Sequence, residues 1–275
     1  MREVFLNADF QNFWRGHDPF LSAFSLTGKS YRKIKSRHTF RIELGGRGYF
    51  VKLHRGIGPG EYLKNLFQLK RPVTDAGQEY KALLHLKKYG VNTMTPAAYG
   101  CMGMIPFART SFLITEELTG TVSLEDFCRD WRKNPPPFRV RRALIRKLGD
   151  SAGKMHRSGL NHRDCYICHF LLRKGTEYSA DPELYVIDLH RAQIRKRISW
   201  HYWVKDVAGL WFSAMDAGLT RHDVLYFLQA YFQRDLHAVR KEFGRFLCAA
   251  DEAARKLYRK DHGKNPPDGT RFQRF

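Results

Sequence analysis

His162-Arg163-Asp164-Cys165-Tyr166-Ile167-Cys168-His169-Phe170-Leu171-Leu172, followed by Val186-Ile187-Asp188-Leu189-His190, is the stretch on which the reading of this chain turns. Asp164 stands behind a His-Arg prefix, and an apolar run begins shortly after it. A polar turn, Lys174 to Pro182, separates that run from Leu184-Tyr185-Val186-Ile187, so the two runs read as the strands of a hairpin. A hairpin of this length returns Asp164 and Asp188 to one end, and two carboxylates are thereby gathered.

Such a pair matches the catalytic half of a phosphotransferase, whose signatures are H-R-D-L-x-x-x-N and D-F-G. Asp164 would orient the acceptor hydroxyl, and Asp188 would hold Mg²⁺. Two departures stand out. The Asn expected to bind a second metal is replaced by His169, and Asp188 is followed by Leu189-His190 in place of Phe-Gly. Mg²⁺ strongly prefers oxygen ligands, so an imidazole is a poor substitute, and either one metal suffices or another oxygen serves. Asp188 and His169 are the candidate metal residues by position.

Cys165, Cys168 and His169 also spell C-x-x-C-H, the pattern of covalent haem attachment, and with His162 they offer a zinc alternative. Haem attachment needs an exported chain, whereas Met1-Arg2-Glu3-Val4-Phe5 opens no signal peptide. A zinc site would place two thiolates beside the Asp164 carboxylate, and no second Cys-x-x-Cys completes a ligand set. The cysteines read as small packing residues.

At 275 residues, with 43% hydrophobic and 14% aromatic residues, the chain has the makings of a full core and is globular. Its 5 cysteines are odd in number and scattered, which predicts a reducing cytoplasm and no disulfide framework. No apolar run approaches the roughly 18 residues of a membrane span. The 48 Lys+Arg against 27 Asp+Glu give a formal charge of +21, a field that draws polyanions: nucleic acid, an anionic membrane face, a phosphorylated or acidic glycan, or an acidic protein.

Upstream, residues 1–30 place Phe10, Phe13, Trp14 and Phe20 at spacings that suit a segment lying on a core. Period-two patterning then gives three strands, Tyr31 to Lys35, Thr39 to Leu44 and Tyr49 to Leu53, with Gly45-Gly46 turning the second into the third. Lys52 sits where the phosphate-pairing lysine of V-A-I-K sits. The first turn, Lys35-Ser36-Arg37-His38, lacks the glycines of a phosphate loop, so Lys35 or Arg37 would contact the nucleotide directly. Residues 54–74 form a basic insertion whose helix, Glu61 to Lys70, is amphipathic; such a helix either faces a core or lies on a membrane surface. Asp75-Ala76-Gly77-Gln78 opens the next helix, with Glu79 on its first turn as the partner of Lys52. Strands at Ala97 to Cys101 and Thr110 to Thr115 lead to Glu116-Glu117-Leu118, a hinge whose backbone would meet adenine.

Beyond Gly120 the pattern is helical: a short helix from Ser123, a long one from Phe138 to Arg157, and then the catalytic loop. Arg191, Arg195, Lys196 and Arg197 follow Asp188 with no A-P-E and no long activation loop, either a basic substrate platform or a solvated run. Asp206 begins a buried helix and would anchor the catalytic loop, and helices over 223–232 and 235–262 complete the chain. The expected fold is α+β and two-lobed, protein-kinase-like. It has a small β-rich N-lobe over 1–118 and a larger helical C-lobe over 119–275, with a C-terminal helical extension from about residue 233.

With these residues assembled, the chain resembles the lipopolysaccharide core heptose(I) kinases of Gram-negative bacteria. The resemblance runs through Phe13-Trp14-Arg15-Gly16, Tyr49-Phe50-Val51-Lys52, Arg109 to Glu116, Asn134-Pro135-Pro136, His162 to Leu172 and Val186 to Ala192. It implies a kinase-like fold that binds Mg·ATP between two lobes and passes the γ-phosphate to the 4-hydroxyl of the first heptose of the inner core. Lys52, held by Glu79, would contact the phosphates, Asp188 the Mg²⁺, and Asp164 the acceptor proton. It also implies a cytoplasmic protein, peripheral at the anionic inner face of the inner membrane, acting on the lipopolysaccharide core. The charge leaves room for an acidic protein partner. The rivals are a catalytically weak kinase-fold scaffold and a basic polyanion-binding protein; specific nucleic-acid binding is not expected.

Overall fold

The structure, a computed structural model, describes residues 1–34, 36–67 and 74–267. The chain forms two compact units. One comprises Met1–Leu84, Met94–Thr119 and Leu189–Arg191, the other His85–Thr93, Gly120–Asp188 and Ala192–Phe275.

The first unit is built on one antiparallel sheet. In chain order it contains β1 (Arg2–Leu6), α1 (Ala8–Phe13), α2 (Pro19–Ser25), β2 (Lys29–Ile34), β3 (Arg37–Leu44), β4 (Arg47–Arg55) and α3 (Pro59–Phe67). Most of α4 (Gly77–Lys88), then β5 (Pro96–Met102) and β6 (Thr110–Glu116), complete it. The six strands run in the order β1-β5-β6-β4-β3-β2. Strand β1, absent from the strands read in the sequence, pairs with β5. The aromatic N-terminal segment covers one face of the sheet, as its spacing implied. Phe10 meets Tyr49 at 5.2 Å between ring centroids, and both Trp14 and Phe20 meet Phe112, at 5.8 and 5.2 Å. Each fully buried ring of this kind stabilises the fold by about 1.5–3 kcal/mol. Helix α3 departs from a core-facing helix, because Leu63 and Phe67 lie at the surface. Lys70 and Arg71, expected at its end, lie outside the described residues.

The second unit is mainly helical. It contains β7 (Thr121–Ser123), α5 (Leu124–Phe127), α6 (Phe138–Arg157), β8 (Leu160–Asn161), β9 (Phe170–Arg173) and β10 (Leu184–Val186). After these come β11 (Gln193–Ile194), α7 (Trp200–Ala214), α8 (Arg221–Phe232) and α9 (Leu236–His262). The expected hairpin forms as β9 and β10, with β7 added as a third strand. Helix α8 starts two residues before the sequence reading because Thr220 and Asp223 form a reciprocal capping box.

Helix α9 is an integral part of this core. Trp203 of α7 stacks on Phe246 at 4.0 Å, and the Trp211 Nε1–H donates to buried Asp251 Oδ1 at 3.0 Å. On the other side α6 lies against α8 with almost no clearance. A Cβ on Gly153 would fall 2.3 Å from the carbonyl oxygen of Tyr231, and one on Gly149 would fall 2.6 Å from that of Phe227. A glycine at each position lets two backbones touch. Gly153→Ala is therefore expected to lower unfolding free energy by about 1–3 kcal/mol, the usual cost of overpacking, measured by urea denaturation. An unchanged midpoint would show that the helices part freely.

Candidate active site

Lys52 lies on β4, a strand with neighbours on both sides, where its stem is buried among apolar chains. A lone ammonium there would be costly, and its partner is supplied by α4: Lys52 Nζ donates to Glu79 Oε1 at 2.6 Å, with both residues buried. The start of α4 is fixed so that Glu79 arrives at that height. Asp75 Oδ1 accepts from the Gly77 amide at 2.9 Å, the Ala76 amide donates to Ser111 Oγ at 2.9 Å, and Arg109 holds Asp75 at 2.9 Å. The second carboxylate oxygen of Glu79 is buried with no partner among the described residues.

Arg37 begins β3 opposite His54, and His54 is two residues beyond Lys52 on the same sheet face. Burial, then the charges of Arg37 and Lys52, push the His54 imidazole down to about 3, so it is neutral at physiological pH. Arg37 and Lys52 thus set a positive field over one sheet face. Lys35, the other candidate at this turn, lies outside the described residues. At the far end of β6 the Glu116 amide donates to Thr95 O and the Glu117 amide to Gly48 O, both at 2.9 Å. Glu117 is gripped by Arg41 through Nε at 2.9 Å and Nη2 at 2.7 Å. This forked pair ties the hinge to β3, and the sequence reading missed it because its members stand 76 residues apart.

In the second unit the loop that carries Asp164 hangs from one carboxylate. Asp206 Oδ2 accepts from the His162 amide at 2.5 Å, and Oδ1 accepts from the Arg163 amide at 2.8 Å. Holding both amides at once bends the chain so that Arg163 has φ 74°, a left-handed conformation that non-glycine residues seldom take. The same helix makes two further contacts. Ser213 Oγ accepts from the Ile167 amide at 2.9 Å, and Gly209 leaves room for the Cys165 carbonyl, which a Cβ would meet at 2.8 Å. Asp206, Gly209 and Ser213 follow helical spacing and present one face of α7 to the loop. That spacing was the available signal for Ser213, which the sequence analysis did not single out.

The strand hairpin brings the remaining groups to the loop. Ile187 N donates to His169 O at 3.0 Å, and His162 Nε2 donates to Ile187 O at 2.9 Å. Burial pushes the His162 imidazole down, so it stays neutral with its proton on Nε2. His169 Nδ1 lies 2.7 Å from the Asp164 carbonyl oxygen, which can only accept, so the proton sits on Nδ1. His169 Nε2 then faces Asp188 Oδ2 across 3.7 Å. Asp188 itself has φ 60°, a second left-handed residue at the same site. Among the described residues no group of three or more His, Cys, Asp or Glu could hold a metal. The two cysteines are thiols: burial pushes Cys165 well up and Cys168 to about 11.

The profile of the lipopolysaccharide kinase (Kdo/WaaP) family matches residues 23–231. The chain is 50% identical over 254 residues to the lipopolysaccharide core heptose(I) kinase WaaP of Pseudomonas aeruginosa, an alignment that covers 92% of this chain and 95% of that one. It is 45% identical over 257 residues to the protein of that name from Escherichia coli, covering 92% and 96%. Among solved structures it is similar to WaaP in complex with acyl carrier protein, with a TM-score of 0.81, 46% identity, and 93% of this chain and 99% of that one covered. The mixed sheet-and-helix architecture is therefore the expected kinase-like fold, and the chain, a phosphotransferase, belongs to the lipopolysaccharide kinase (Kdo/WaaP) family.

Proposed function

We propose that this protein transfers the γ-phosphate of ATP to the 4-hydroxyl of the first heptose of the lipopolysaccharide inner core. The observation that carries the reading is the catalytic loop itself, with Asp164 set between an Arg163 forced into the left-handed region and a His169 locked in one tautomer. Strained backbone and fixed protons of this kind are expected where a group must be held ready for chemistry. Family membership supports the use of ATP, and the names of the relatives support a heptose of the lipopolysaccharide core as acceptor.

In this reading Lys52, kept in place by Glu79, contacts the nucleotide phosphates, with Arg37 beside it on the sheet. The amides of Glu116 and Glu117 are engaged within their own unit, so adenine would meet the Glu116 carbonyl. Asp188 and His169 Nε2 would hold Mg²⁺, which when bound neutralises phosphate charge. Asp164 orients the acceptor hydroxyl and takes its proton as the new O–P bond forms. The bond from the γ-phosphorus to the bridging oxygen breaks, and ADP leaves with the electron pair. The transition state is loose, so most of the acceleration comes from positioning and charge.

The acceptor carries a lipid, and the charge of +21 complements anionic headgroups, so we place the protein at the inner face of the inner membrane as a peripheral component. No helix among the described residues is long and apolar enough to cross a membrane. The same charge, with the likeness to a WaaP solved with acyl carrier protein, supports an acidic protein partner for this chain.

The test is phosphate transfer from labelled ATP to core lipopolysaccharide that lacks the heptose phosphate. Asp164→Asn is expected to cost roughly 10²–10⁴-fold in kcat, the usual contribution of a positioned base, with ATP affinity retained. Lys52→Met is expected to lose transfer and weaken ATP binding while circular dichroism stays unchanged. Wild-type turnover in either variant, or ATP binding without transfer by the wild type, would contradict the reading; the latter is the behaviour of a scaffold.

A further inference from the structure

One end of the first unit's sheet gathers features that the transfer reaction does not use. The strand registers place Ile34 opposite Arg37, Arg37 opposite His54, Arg55 opposite Thr110, Thr110 opposite Met102, and Met102 opposite Arg2. These residues mark the same end of all six strands, so the β2–β3 turn, the exit of β4 and the β5–β6 loop leave the sheet on the same side. Helix α3 is tied to that side. The Gly58 amide donates to Phe107 O at 3.1 Å, and the rings of Tyr62 and Phe107 lie 5.7 Å apart.

From this end, large apolar side chains stand in water. Phe67 is 85% exposed and Met104 80%, with Ile105 at 52% and Leu63 at 51%. Single exposed apolar residues are ordinary on a protein surface, but four on two adjoining elements make a patch. Exposed cations share this end: Lys33 of β2, Arg55 of β4 and Lys64 of α3. Two carboxylates beside it are neutralised, Asp75 by Arg109 at 2.9 Å and Asp18 by Arg2. Apolar tips with exposed cations at the same end of a sheet are the complement of a bilayer surface, where phosphates lie over hydrocarbon. A protein partner of acidic character would satisfy the cations and leave Phe67 and Met104 unexplained.

We propose that this end of the sheet is the face that rests on an anionic membrane, with Phe67, Met104, Ile105 and Leu63 entering the interfacial layer and Lys33, Arg55 and Lys64 meeting lipid phosphates. The inference rests on the peripheral membrane reading above and deepens it by naming the surface. It also has a functional sense within this unit. Arg37 and Lys52, the proposed phosphate contacts, lie toward this end of the sheet, whereas the Glu116 hinge lies at the other, opposite Tyr49. The face set against the membrane is thus the phosphate end.

The experiment is sedimentation with vesicles of equal phosphatidylethanolamine and phosphatidylglycerol, with phosphatidylcholine vesicles as the neutral control. The full chain is compared with a triple variant, Phe67→Ser, Met104→Ser and Ile105→Ser, and with Tyr178→Ser, an exposed apolar change in the second unit. The triple variant is expected to lose about tenfold or more of its affinity for anionic vesicles, and Tyr178→Ser none. Transfer to a deacylated, water-soluble core should be unchanged in the triple variant, while transfer to vesicle-embedded acceptor falls. Wild type and triple variant binding equally would overturn this face and leave the membrane reading standing. A wild type that uses the patch only to pair with a second copy in light scattering would overturn this face, and one that ignores anionic vesicles would overturn both.

Discussion

The carboxylate of Asp206 accepts two consecutive backbone amides, those of His162 and Arg163, and the second unit's share of the site depends on it. An extended strand points neighbouring amides to opposite sides and does not present both to one acceptor. The loop must turn sharply to do so, and the positive φ of Arg163 is the mark of that turn. Once it is made, the Asp164 side chain is carried on a segment with little freedom, and the Asp164 carbonyl is left to receive His169. A buried ion without full compensation would be a liability, and Asp206 is compensated by two amides and by His156 Nε2 at 3.3 Å. His156 is in turn 2.5 Å from the Tyr231 hydroxyl, which also accepts from Trp203 Nε1–H at 2.6 Å. The loop is thereby referenced to α6, α7 and α8 together, and the close α6–α8 contact at Gly153 belongs to the same support.

The first unit solves a similar problem differently. Its key charge, Lys52, is buried by the sheet and answered by one helix, whose start is set by Asp75, Arg109 and Ser111. The orphaned Glu79 oxygen and the neutral His54 show that polar groups here are not all satisfied within the protein. Groups of that kind are normally rare inside a fold and concentrate where a ligand is received.

Much of this was legible in the chain, and for physical reasons. The Lys52–Glu79 pair forms as expected, because the strand and the helix that carry its members both showed in the sequence pattern. The long amphipathic α6, from Phe138 to Arg157, showed its period plainly and was bounded correctly. What stayed hidden was non-local. Strand β1 takes its place by pairing with β5, and the Arg41–Glu117 fork joins residues with no local relation. The Nδ1 proton of His169 depends on one carbonyl, whereas Cys165 and Cys168 are the packing thiols that the sequence context favoured over haem or zinc. The exposed face of α3 was open between core and membrane, because an amphipathic pattern does not say which solvent its apolar side meets.

The most direct test of the account is to find where the phosphate goes. Core lipopolysaccharide lacking the heptose phosphate would be incubated with ATP and the full chain, and the isolated product examined by phosphorus–proton correlation spectroscopy. The account predicts one new phosphomonoester correlated with H-4 of the first heptose. A phosphate on another hydroxyl would contradict the assigned position, and release of inorganic phosphate with no sugar phosphate formed would contradict transfer itself.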